Sequence, residues 1–92
     1  MTKADIVNEI AKSTGIEKSD VQKTVEAFIE QVKGALAAKE NVYLRGFGSF
    51  IIKERAQKTA RNISKNTTLI IPAHNIPAFK PAKVFVAKVK GE

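Results

Sequence analysis

The chain has 92 residues, with one histidine and no cysteine. A single small domain is therefore expected, and a disulfide framework, a thiolate metal site and a multi-histidine metal centre are excluded. Residues 1–40 carry six lysines and seven acids, whereas residues 41–92 carry ten basic and two acidic residues, so the net charge of +7 belongs to the second part. This asymmetry favours a polyanionic partner over a merely solvated basic face. No apolar run approaches the roughly 20 residues of a membrane span, and the N-terminus lacks a signal-peptide core, so we expect an intracellular protein.

Two helices separated by a short break are predicted for the N-terminal part. Thr2 is a good N-cap with Asp5 at the third helical position, as in a capping box. Gly15 suits the left-handed residue that ends a helix. An apolar stripe at three-to-four spacing then predicts a second helix over residues 18–39. Gly34 lies inside it and costs about 1 kcal/mol relative to alanine, so we expect close packing there.

The hydrophobic period changes to two after Glu40, which predicts strands. Gly46 and Gly48 interrupt this alternation and permit a tight turn or bulge, so two strands should be joined at "GFGS". A long β-hairpin arm is predicted over residues 53–74, with its tip near residues 63–66. An isolated two-stranded ribbon is only marginally stable in water, so the arm should move until something pairs with it.

The last part of the chain contains a short extended piece around Phe79 and an amphipathic helix from about Ala82. Phe47, Phe50 and Phe79 could stack on bases, as in single-strand binders. They lie beside glycine turns and alternate with polar residues, so we interpret them as core residues.

The predicted arm is basic and nearly lacks a core. Its cations, which can neutralise a phosphate backbone, are Lys53, Arg55, Lys58, Arg61 and Lys65. Strict alternation places Lys53, Arg55 and Arg61 on one face and Lys58 on the other. This arrangement fits a ribbon that lies in a groove with phosphates on both sides.

Two other residues of the arm allow more than one interpretation. Ile63, stranded among polar residues at the tip, is either a turn residue with a local apolar contact or a wedge that enters between base steps. His74 is interpreted as a solvated ribbon residue rather than a switch.

Four motifs together resemble the HU/IHF family of bacterial nucleoid proteins, and the resemblance covers essentially the whole chain. They are "GFGSF" at 46–50, Arg55, "ARN" at 60–62 and "IPAFKP" at 76–81. The resemblance implies an α+β fold with a helical hairpin base, a three-stranded antiparallel sheet with a long β-ribbon arm, a short C-terminal helix and an intertwined dimer. It divides the single domain, residues 1–92, into a helical dimerisation base (1–40), a saddle with the C-terminal helix (41–52 and 75–92) and a DNA-binding arm (53–74).

The resemblance also implies the contacts to double-stranded DNA. It assigns them to Lys3, the backbone of Gly46, Phe47 and Gly48, and the side chains of Lys53, Arg55, Lys58, Arg61, Asn62, Lys65, Lys80 and Lys83. It assigns the intercalating position to Ile63, where the family usually has proline. Isoleucine keeps the apolar bulk but lacks the fixed φ of proline. Asn66 and Ala82 stand where glycine is common, and Leu69 stands where the family has an arginine.

The resulting expectation is a histone-like architectural protein that wraps and bends DNA through the minor groove, with low sequence specificity, and condenses the nucleoid in the bacterial cytoplasm. Its partners would be DNA and a second copy of the chain, or a related subunit in a heterodimer, with no membrane and no small-molecule substrate. No catalytic constellation, cofactor site or metal site is predicted, so the protein is not expected to be an enzyme. "GFG" lacks the "GK[ST]" of a nucleotide loop.

Two alternatives belong to other classes. A small basic RNA-binding protein of ribosomal type is disfavoured because the arm has no aromatic residues to serve as a stacking platform. A peripheral membrane protein usually places aromatic residues beside lysines on one helix face, and the long predicted helix does not do so.

Overall fold

A computed structural model describes the backbone of residues 1–62 and 67–91, with side chains described outside residues 60–69. The chain forms two compact units, Met1–Ala35 and Leu36–Glu92. In chain order the elements are α1 (Lys3–Thr14), α2 (Lys18–Ala37), β1 (Val42–Leu44), β2 (Gly48–Arg55), β3 (Lys58–Asn62), β4 (Thr67–Ile71), β5 (His74–Pro81) and α3 (Lys83–Lys90). The predicted α+β class is confirmed.

The first helix begins and ends as its sequence predicts. Thr2 Oγ1 accepts a hydrogen bond from the Asp5 N–H at 3.3 Å, and Asp5 Oδ2 accepts one from the Thr2 N–H at 2.8 Å. This capping box satisfies donors that the first helical turn leaves unpaired. Gly15 ends α1 in the left-handed region, with φ of 75°. Helix α2 ends two residues before the predicted Lys39, which itself takes a left-handed φ of 63°.

The helical unit buries very little apolar surface. Val7 and Val21 are its buried side chains, at 2% and 4% exposure. By contrast, Phe28 is 46% exposed and Ile29 is 37% exposed. The expectation of close packing at Gly34 is wrong for this chain taken alone, because no described heavy atom lies within 4 Å of where a Cβ would stand.

The sheet unit is built on a three-stranded antiparallel sheet with the order β1-β2-β5. The turn between β1 and β2 closes through a hydrogen bond of 3.0 Å from the Phe47 N–H to the Leu44 carbonyl oxygen. Gly46 occupies this turn with φ of 81°, a conformation that L side chains rarely adopt. The predicted pair of strands joined at the glycines is therefore confirmed.

The predicted core phenylalanines pack as one cluster. The Phe79 ring centroid lies 5.0 Å from those of both Phe47 and Phe50, and Phe85 of α3 lies 5.3 Å from Phe47. These spacings are within the favourable range for tilted aromatic pairs. Gly48 leaves the space for this cluster, since a Cβ there would lie 2.6 Å from Phe79 Cζ.

The predicted hairpin over residues 53–74 is present as two ladders rather than one. The β2–β5 ladder ends at the pair Arg55–His74, and the β3–β4 ladder begins at Lys58–Ile71. The interruption contains two residues on each of the two chain segments, residues 56–57 and 72–73, so the register is the same in both ladders. Pro72 lies in the interruption and has no N–H to donate to a ladder. The predicted tip, residues 63–66, lies outside the described residues.

The predicted C-terminal helix follows β5 as α3. Ala82 is its N-cap, so the helix begins one residue after the predicted start, and Gly91 ends it with φ of 83°. Among the described residues, no helix is both long and apolar enough to span a membrane.

Candidate nucleic-acid interface

The antiparallel register gives the three-stranded sheet two chemically different faces, because directly opposed residues point to the same side and successive residues to opposite sides. One side, here called the basic face, contains Tyr43, Ser49, Ile51, Lys53, Arg55, His74, Ile76, Ala78 and Lys80. The other side, the aromatic face, contains the opposed pair Phe50 and Phe79, with Val42, Leu44 and Ile52 nearby. The sheet therefore separates its cations from its aromatic core.

A groove of about 640 Å³ lies beside the glycine turn and is lined by three cations, Arg45, Lys80 and Lys83. The hydrogen bond from the Ala82 N–H to the Phe47 carbonyl oxygen, at 2.9 Å, ties the start of α3 to this turn. Lys83 at the start of α3 and Lys80 at the end of β5 are thereby held around one concave surface. Several cations around a groove are what an incoming phosphate backbone requires.

The glycines of the turn and Phe47 between them have different roles at this groove. Gly46 and Gly48 both line it. The Phe47 N–H donates to the Leu44 carbonyl oxygen within the turn, the Phe47 carbonyl oxygen accepts from the Ala82 N–H, and the Phe47 ring packs on Phe79, so Phe47 holds the turn in place.

Arg45 is a residue of the groove that sequence reasoning missed. Arg45 lies in the turn between β1 and β2, next to Gly46. Its exposed side chain lines the same groove as Lys80 and Lys83. The sequence did offer a signal for this role, because Arg45 is adjacent to a turn that was predicted to contact phosphates.

The described cations of the sheet unit are not neutralised by neighbouring acids. Among the described side chains, salt bridges join Lys3 to Glu26 and Lys33 to Glu30, and both pairs lie in the helical unit. Glu54 alternates with its basic neighbours onto the aromatic face, opposite Asn75. The charge of the basic face is therefore available to an anionic ligand.

Lys3 differs from the other predicted contact lysines and arginines whose side chains the structure describes, because it already has an acidic partner. Its Nζ lies 2.9 Å from Glu26 Oε1. The hydrogen bond from Lys3, followed by a weaker one from Gln22, lowers the pKa of Glu26 below its ordinary value.

The structure places only part of the predicted arm interface. Arg55 and Lys58 line the same cavity at the point of the arm where the ladder is interrupted. The backbones of Arg61 and Asn62 belong to β3 and pair with Thr68 and Thr67. Ile63 and Lys65 lie outside the described residues.

No group of three or more acidic or histidine side chains in the described part of the chain could hold a metal ion. The arrangement is instead that of a surface for a polyanion, with cations on one face of a sheet and around a groove beside the glycine turn.

Comparison with known proteins agrees with this arrangement. A family model described as "Bacterial DNA-binding protein" matches residues 1–90. The DNA-binding protein HU of Thermus thermophilus is 41% identical over 90 residues, which cover 98% of this chain and 93% of the relative. The integration host factor subunit alpha of Aliivibrio fischeri is 36% identical, with 98% of this chain and 92% of the relative covered. Among solved structures, an Anabaena HU–DNA cocrystal structure matches with a TM-score of 0.93 and 33% identity over the full length of both chains. The chain belongs to the bacterial DNA-binding protein family.

Proposed function

We propose that this protein is an architectural DNA-binding protein that wraps and bends double-stranded DNA through the minor groove with little sequence selectivity, and that it helps to condense the nucleoid in the bacterial cytoplasm. The single observation that carries the proposal is the two-faced sheet. Its basic face presents Lys53, Arg55 and Lys80 without acidic partners, and its aromatic face contains the opposed phenylalanines Phe50 and Phe79.

Binding on this surface is mainly electrostatic. The side chains of the basic face and the groove reach phosphates, while the described arm strands β3 and β4 provide a narrow ribbon that can follow a groove. Phosphate contacts fix position without reading bases, which accounts for low sequence selectivity. The proposed phosphate contacts are Lys3, Gly46, Gly48, Lys53, Arg55, Lys58, Arg61, Asn62, Lys65, Lys80 and Lys83, to which the groove adds Arg45. Phe47 has both backbone polar groups hydrogen-bonded within the protein and is proposed to hold the turn between the two glycines.

Bending is assigned to Ile63. An apolar side chain inserted between base steps replaces part of the stacking that a kink removes, and the bent duplex then contacts more protein surface. This role rests on the family resemblance and on the position of Ile63 in the sequence.

The functional unit is proposed to be a dimer. Within the helical unit Phe28 is 46% exposed, and within the sheet unit Phe47 is 44% exposed. Large aromatic side chains left this open in a small chain are typical of surfaces that a second subunit covers. The partner is a second copy or, as the word "subunit" in the name of one relative suggests, a related chain.

The alternative of a ribosomal-type RNA-binding protein finds no support, because the matching family model and the HU relative are both described as DNA-binding. A direct test is a titration of the full chain with a labelled DNA duplex, an RNA duplex of the same sequence and anionic lipid vesicles at equal ionic strength. The proposal requires the tightest binding to duplex DNA, with log affinity falling linearly with log salt concentration. Preference for RNA or for vesicles would refute it.

The dimer is tested separately by sedimentation and thermal unfolding over a range of protein concentrations. An obligate dimer unfolds at higher temperature as its concentration rises, by mass action. A folded monomer at about micromolar concentration would contradict the dimer. It would not contradict DNA binding, which the titration tests separately.

A further inference from the structure

A small cavity where the two ladders are interrupted brings together three side chains that can carry positive charge. Arg55 and His74 are directly opposed at the end of the β2–β5 ladder and therefore share the basic face. With Lys58, they line a cavity of about 320 Å³ whose other walls are Ala56 and Ile71. These five residues are called the notch below. No other histidine is present in the chain.

The backbone holds the His74 ring in one tautomer. His74 Nδ1 lies 3.0 Å from the carbonyl oxygen of Pro72. A carbonyl oxygen can only accept, so Nδ1 carries the hydrogen and donates it. In the neutral ring, Nε2 is then an acceptor and cannot form a hydrogen bond to a phosphate oxygen. Uptake of one proton converts Nε2 into a donor and adds a positive charge.

The charged groups around His74 favour an anion in the notch. Arg55 faces His74 across the ladder, Lys58 lines the same cavity, and Lys53 is the diagonal neighbour on the basic face. The nearby acid, Glu54, lies on the aromatic face opposite Asn75. A phosphate group would supply the negative charge that a protonated imidazole requires beside these cations.

We propose that Arg55, Lys58 and His74 form one phosphate-binding site in which His74 takes part only when protonated, so that DNA binding takes up a proton at the notch. The inference rests on the proposed function, since the phosphate is that of the DNA backbone. Because the protonated form has the extra donor and the extra charge, affinity for DNA rises as the pH falls through the range in which histidine titrates.

The first experiment measures the affinity of the full chain for a labelled duplex at about pH 8 and about pH 5.5, on either side of the usual histidine range, at constant ionic strength. The parent should bind roughly five- to tenfold more tightly at the lower pH, the size of a modest coupling between two ligands. Its salt dependence should also become steeper at low pH, by up to about one unit for each additional phosphate contact.

Two variants isolate the ring. His74→Gln keeps a polar side chain that cannot take up a proton, so its affinity should change little with pH. His74→Lys carries a permanent charge, so it should bind about as tightly at both pH values as the parent does at low pH. The three proteins differ only at residue 74, so differences among their pH profiles report that side chain.

Calorimetry provides an independent readout. In two buffers with different ionisation enthalpies, the parent should show different binding enthalpies near neutral pH, because a proton is drawn from the buffer, whereas His74→Gln should not. The inference is overturned if the parent and His74→Gln bind DNA with the same pH profile and the same dependence on buffer. Loss of DNA binding by the parent at every pH would instead refute the proposed function.

Discussion

The helical unit and the sheet unit use their charges in opposite ways. In the helical unit, Lys3 and Lys33 form salt bridges with Glu26 and Glu30, and Asp5 serves a helix cap. In the sheet unit, the described cations have no carboxylate within salt-bridge distance. The difference shows that the helical unit pairs two of its lysines with its own acids, whereas the described cations of the sheet unit remain available to a partner.

The two units differ also in how tightly their glycines are enclosed. A Cβ at Gly48 of the sheet would meet the Lys80 carbonyl oxygen and Phe79 Cζ, each at 2.6 Å. A Cβ at Gly34 of α2 would meet no described heavy atom within 4 Å. Gly48 is therefore closely enclosed within a single chain, whereas α2 is open at Gly34.

The largest expected effect tests this difference in packing. Gly48→Ala should lower the free energy of unfolding by about 1–3 kcal/mol, because the clash includes a backbone oxygen that cannot move without disturbing β5. Gly34→Ala is the matched control and should raise it by up to about 1 kcal/mol, the usual gain within a helix. Both are measured by denaturant unfolding at equal protein concentration. A loss of stability in Gly34→Ala would show that a second surface covers this position.

The next effect concerns the arm tip. Ile63→Ala removes the proposed wedge but no charge, so the DNA kink should become shallower and binding to an intact duplex should weaken, since unstacking a step costs a few kcal/mol. Binding to nicked DNA, which is already flexible, should weaken less, and the salt slope should stay nearly the same. End-to-end distance by fluorescence energy transfer reports the bend.

Ile63→Pro extends this test by restoring the residue usual in the family at this position. Its fixed φ should sharpen the kink. If Ile63→Ala bends DNA as strongly as the parent, or weakens both substrates equally, Ile63 is an ordinary turn residue.

A smaller effect tests the contrast in charge directly. Lys53→Ala on the basic face should lower the slope of log affinity against log salt by about 0.9, one phosphate contact. Lys33→Ala in the helical unit should leave that slope unchanged, because Lys33 is paired with Glu30. Titrations of a duplex at several salt concentrations measure both. Equal slopes for the two variants would contradict the assignment of DNA binding to the basic face.

The smallest effect concerns the Lys3–Glu26 pair. The Lys3 hydrogen bond holds the pKa of Glu26 below its ordinary value of 4.5. The stabilisation is therefore present above that value and is lost as the pH falls through the lowered pKa of the folded protein. Lys3→Ala should raise the pKa of Glu26 toward its ordinary value and make unfolding slightly less sensitive to acid. A carboxyl titration followed by NMR measures this shift, and an unchanged Glu26 pKa would refute the pairing in solution.

Much of the fold could be predicted from local sequence signals. The capping box of Thr2 and Asp5 and the left-handed Gly15 depend on residues only a few positions apart, so their chemistry is visible in the sequence. The change from helical to strand periodicity and the glycine turn were likewise predictable. The combined motifs also indicated the family resemblance, and the resemblance in turn predicted double-stranded DNA as the partner.

Other features depended on residues distant in the chain. The constraint on Gly48 arises from Phe79 and Lys80, and the groove combines Arg45 of the turn with Lys83 of α3. The joint lining of one cavity by Arg55, Lys58 and His74 likewise required the strand register and the interruption at Pro72. Sequence by itself determined the elements, the sign of the charge and the family, because these follow from composition and near neighbours. The tertiary structure decided which cations share a surface, because that depends on the register in which distant strands pair.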